Sequence, residues 1–190
     1  MGTSVNQRSP ARPTWKLPQA LIGREDISAK DQGAEIWRAA SLDPDTDIVR
    51  RLSDPVIANA CVLAAQTKAP AEAARLYDAV LNESRTAGLL FDLTRRALVR
   101  SVAEGGGSDR FVGELFAETV AYYASRDLPS YVGKRGRISK ASEIIELKKQ
   151  LQLHTKEVVS SSKLPRVTKA TWSQFVANAV GKLSKKRTRQ

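Results

Sequence analysis

The densest concentration of potential chemistry in the chain is Gly133-Lys134-Arg135-Gly136-Arg137, followed by Ile138, Ser139 and Lys140. The two glycines let the backbone approach an anion closely and present its N–H groups, while the cations supply charge around it. A helical pattern opens near Ser139, and the amide end of a helix favours negative charge in the same region. This combination suits capture of phosphate or another anion; nothing in it makes or breaks a bond. Lys148 and Lys149 lie further along the same helix. Lys134, Arg135, Arg137, Lys140, Lys148 and Lys149 are therefore the expected nucleic-acid-binding residues.

Arg135-Gly136-Arg137 resembles the core of an AT-hook, a short arm that lies in the minor groove of A·T-rich DNA. The resemblance covers three residues, and Ile138 stands where a proline normally follows. Charge along the whole chain points the same way. Residues 128–190 hold 15 Lys/Arg against 3 Asp/Glu, a net of +12, whereas residues 41–127 carry a net of −3 and residues 1–40 a net of +2. The overall charge of +11 is thus a property of the last third. Such a segment attracts polyanions without reading sequence. An acidic protein partner is the alternative occupant.

Other chemistry has little to stand on. One histidine (His154) and one cysteine (Cys61) do not make a zinc site or a persuasive nucleophile–base pair, and both fall on helix interiors. Gly105-Gly106-Gly107 is not followed by the Lys-Ser/Thr of a phosphate loop and reads as a helix stop. Asp43-Pro44-Asp45-Thr46-Asp47 reads as helix-capping acids. The expectation is a non-enzymatic protein with no metal and no cofactor. A single cysteine permits no internal disulfide, and no stretch approaches the ~20 apolar residues that span a bilayer. The expected location is the cytoplasm.

The elements that must hold the basic segment are all helical. Residues 1–18 contain Pro10, Pro13 and Pro18 and no periodicity, so a disordered N-terminal arm is expected. Residues 19–183 read as a single helical domain whose basic third begins near 128, and 184–190 as a basic tail. Ser28 caps a helix to about Ala40 carrying Ile36 and Trp37, and Asp54-Pro55 and Pro70 start two more. Two further helices flank the triple glycine, the second capped by Ser108. Ile144, Leu147, Leu151, His154 and Val158 form a heptad-like seam on the helix after the basic loop. Trp172, Phe175, Val176, Ala179, Val180 and Leu183 give the last helix the cleanest apolar stripe in the chain. Trp172, Phe175 and Val176 mark it as part of the fold or as an interaction helix that fills a partner's groove. The fold class expected is all-α, a compact bundle of about seven helices.

Overall fold

The computed structural model describes residues 29–42, 48–127, 141–161 and 169–185, and every regular element among them is an α-helix. In chain order these are α1 (Ala29–Leu42), α2 (Ile48–Leu52), α3 (Pro55–Gln66), α4 (Pro70–Ser84), α5 (Leu89–Ala103), α6 (Ser108–Asp127), α7 (Ala141–Ser160) and α8 (Lys169–Leu183). Seven match the helices read from periodicity and caps. The eighth is α2, whose five residues are too few to display a helical period. The N-terminal arm and residues 186–190 of the basic tail lie outside the described residues.

Local chemistry sets the helix boundaries. Asp54 caps α3 by accepting from the Val56 amide at 2.8 Å, and Pro55 occupies the first turn, where its missing N–H costs nothing. Between α5 and α6 the three glycines have φ of 109°, 73° and 103°, a region that side chains disfavour. Gly106 donates to the Ser101 carbonyl at 2.7 Å, and Gly107 to the Ala64 carbonyl at 2.9 Å, which ties the turn to the end of α3. A Cβ on Gly106 would lie 3.2 Å from that same Ala64 oxygen. Ser108, expected as the cap of α6, instead sends its hydroxyl to the Cys61 carbonyl at 3.3 Å. The turn delivers Ser108 against α3, and the Gly107 carbonyl accepts the Phe111 amide in its place.

The core runs through α6 and α8. Phe111, Val112, Leu115, Phe116 and Val120 of α6 are buried, and the Trp37 ring of α1 lies 5.5 Å from Phe116. All six stripe residues of α8 are buried as well. Each large side chain taken out of water stabilises the fold by roughly 1.5–3 kcal/mol. Trp172, Phe175 and Val176 therefore do not present an interaction face: they are buried within their own chain, and Trp172 donates to the Leu52 carbonyl at 2.8 Å. The stripe binds α8 to the body because it is the apolar surface that closes α1 and α2.

Among the described residues no helix is long and apolar enough to cross a membrane.

Candidate nucleic-acid interface

The helix that carries the described members of the expected binding set, Lys148 and Lys149, is α7. It packs chiefly on α6 and also on α1 and α8. Two glycines allow the close approach. A Cβ on Gly33 of α1 would sit 3.2 Å from Leu151 Cδ2 and 3.6 Å from His154 Cδ2, and one on Gly113 of α6 would sit 3.9 Å from Lys156 Cγ. Leu151, Thr155 and Val159 are buried, with Ile144, Leu147 and Val158 packed partly against the core. The expected seam is thus on the inner side, and half-buried His154 packs at its edge. Thr155, which the seam reading passed over, accepts from the Trp37 indole at 3.4 Å.

Of the six expected binding residues, Lys134, Arg135, Arg137 and Lys140 lie outside the described residues. Lys149 is exposed on α7 and Lys148 half-buried beside it. The outer side of α7 is mixed in sign, since Glu143, Glu146 and Glu157 are exposed on it too. Glu146 accepts from Gln150 at 2.7 Å. Two apolar side chains also face outward, Ile145 at 66% and Leu153 at 54% exposure. They stand four residues either side of Lys149, and so share its side of the helix.

Lys156 is committed elsewhere. It pairs with Glu114 of α6, whose side chain is only 3% exposed, and Arg100 of α5 approaches the other carboxylate oxygen at 3.5 Å. Arg100 also pairs with Glu118 at 2.5 Å. A buried carboxylate costs several kcal/mol unless it is paired, so this cluster fixes α5, α6 and α7 relative to one another. Sequence reasoning missed it. The available signal was Glu114 lying within the apolar stripe formed by Phe111, Leu115 and Val120.

Cys61 is fully buried, and burial pushes its thiol up from 9.0 to about 11, with the Ser108 hydrogen bond opposing the shift and Asp109 adding to it. A thiol that stays protonated at neutral pH is a poor nucleophile. Tyr77 is likewise fully buried, and desolvation raises its phenol well above the usual range. Its hydroxyl has no hydrogen-bond partner within bonding geometry; Thr94, its polar neighbour, gives its own hydrogen to the Leu90 carbonyl at 2.7 Å. At the surface, Arg95 grips Asp78 with two hydrogen bonds of 2.7 and 2.9 Å, which hold that carboxyl below its ordinary range.

A cleft of about 410 Å3 opens between α2, the start of α5 and the later part of α6. Arg50, Arg51 and Asp54 line it together with Leu89, Leu90, Phe91, Leu93 and Tyr122. None of these was singled out by sequence as a binding residue, because the cleft exists only once three separate elements meet. No family model, no curated protein and no solved structure matches this chain.

Proposed function

We propose that the protein is a non-enzymatic nucleic-acid-binding module that engages the duplex backbone through its basic C-terminal third, with little readout of sequence. The observation that carries this reading is the net +12 over residues 128–190 beside a body, residues 41–127, of net −3. Lys134, Arg135, Arg137 and Lys140 form the principal contact, with Lys149 and Lys148 extending it along α7. Cations on a glycine-spaced loop meet phosphates and release counterions, which yields affinity without base specificity. The pairing of buried Glu114 with Lys156 supports this division of labour, since it anchors the C-terminal half of α7 on α6 while Lys149 stays exposed.

A second reading has its own observation. Ile145 and Leu153 are exposed beside Lys149, and an apolar pair flanking a cation suits an acidic protein surface better than a phosphate backbone. On that reading the chain is a subunit or adaptor of a larger assembly.

Fluorescence anisotropy separates the two. Duplex DNA, duplex RNA and an acidic protein control are titrated with the wild type, with a variant carrying Gln at Lys134, Arg135, Arg137 and Lys140, and with Ile145→Ser/Leu153→Ser. The nucleic-acid reading expects the first variant to lose DNA binding whatever the sequence, and the second to keep it. Absence of binding to either nucleic acid at low salt, where electrostatic attraction is strongest, removes that reading and leaves the adaptor.

A further inference from the structure

The cleft of about 410 Å3 lies apart in sequence from the C-terminal basic third, and it combines two features that one class of small molecule satisfies together. Leu90, Phe91, Leu93 and Tyr122 supply an apolar wall, and the side chains of Arg50 and Arg51 supply positive charge. The size falls within the range that encloses small organic ligands, roughly 300–1,000 Å3. We propose that the cleft binds a phosphate monoester with an apolar body, the phosphate meeting Arg50 and Arg51 and the body lying against Phe91 and Tyr122.

Guanidinium is planar, permanently charged and matched to two oxygens of a phosphate at once. Among the described residues one acid lines the cleft, Asp54, whose Oδ1 accepts from the Val56 amide at 2.8 Å. The first turn of α5, capped by Gly88 with no side-chain hydrogen bond, lines the same cleft and adds to the attraction without carrying it. The two arginines are exposed, while Leu93 is buried beneath, so polar and apolar halves of a ligand have separate places.

The test uses the full chain and four probes: 1-naphthyl phosphate, hexyl phosphate, inorganic phosphate and 1-naphthol, each titrated by calorimetry with amide chemical shifts recorded alongside. The two esters distinguish a planar from a flexible body. At least one ester should bind more tightly than phosphate alone or naphthol alone, with shifts at Arg50, Arg51 and residues 88–91. Arg50→Gln/Arg51→Gln should weaken the ester by about tenfold or more, the loss expected for charge-assisted hydrogen bonds. Leu89→Glu, at an exposed rim position, should weaken it too without disturbing the core. The proposal is overturned if neither ester binds at millimolar concentration, if naphthol binds as well as its phosphate, or if both variants bind the ester as the wild type does. None of these outcomes depends on whether the C-terminal third binds nucleic acid.

Discussion

Trp172 donates its indole N–H to the carbonyl oxygen of Leu52 at 2.8 Å, across 120 residues of chain. Leu52 is the last residue of α2, where a helix leaves carbonyls without intrahelical partners. One side chain thus fills the core and closes a helix end. Trp172→Ala should cost about 3–5 kcal/mol in urea unfolding. Trp172→Phe, which keeps a ring but leaves the Leu52 oxygen unsatisfied, should cost about 1–3 kcal/mol. An unchanged midpoint for the alanine variant would show that α8 does not hold the bundle.

Helix starts and the α8 stripe were legible because they are local. A capping acid before Pro55, Pro70 after Ala69, and three glycines after α5 each act within a turn of chain. The Glu114 cluster was not legible, because its cations arrive from Arg100 and Lys156, 14 and 42 residues away. The α7 seam was placed on the correct side but drawn too narrow. Packing against both α6 and α1 widens the buried face to include Thr155 and Val159. Of the expected binding residues, Lys148 and Lys149 were read from charge alone, whereas the cleft beside Arg50 and Arg51 depends on tertiary approach.

The Glu114 cluster predicts an asymmetry between lysines on one helix. Lys156→Met leaves a carboxylate buried with Arg100 alone, and should cost about 1–3 kcal/mol. Lys149→Met removes an exposed charge and should change stability by no more than about 0.5 kcal/mol. Chemical denaturation of both variants checks the difference, and equal small effects would mean that Lys156 is not needed to satisfy Glu114.

Two glycines should respond to alanine with opposite signs. Gly106→Ala meets both a φ of 73° and the Ala64 carbonyl at 3.2 Å, and should destabilise by about 1–2 kcal/mol or more. Gly181 lies within α8 with nothing within 4 Å of an added Cβ. Gly181→Ala should therefore stabilise by roughly 0.5–1 kcal/mol. Thermal melts of the two variants provide the comparison.

Cys61 should make stability fall at alkaline pH. Its folded pKa, about 11, is raised above the ordinary 9.0, so the native state holds the proton longer than the unfolded chain. The associated stability is fully present below pH 9.0 and is lost as pH rises towards about 11. Buried Tyr77 acts in the same direction, so the informative comparison is between variants. Wild type should lose more stability than Cys61→Ala across that window in pH-dependent urea titrations. Parallel curves would place the thiol in a far less buried setting.

The central claim is that the basic C-terminal third binds nucleic acid through phosphate contacts, and the slope of log affinity against log salt measures this most directly. For duplex DNA, replacing Lys134, Arg135, Arg137 and Lys140 by Gln should flatten that slope by about 0.9 for each phosphate contact removed. The unfolding midpoint should stay nearly constant, since exposed charges contribute little to stability. A wild-type protein that binds neither DNA nor RNA at low salt, or a slope identical in wild type and variant, would contradict the account.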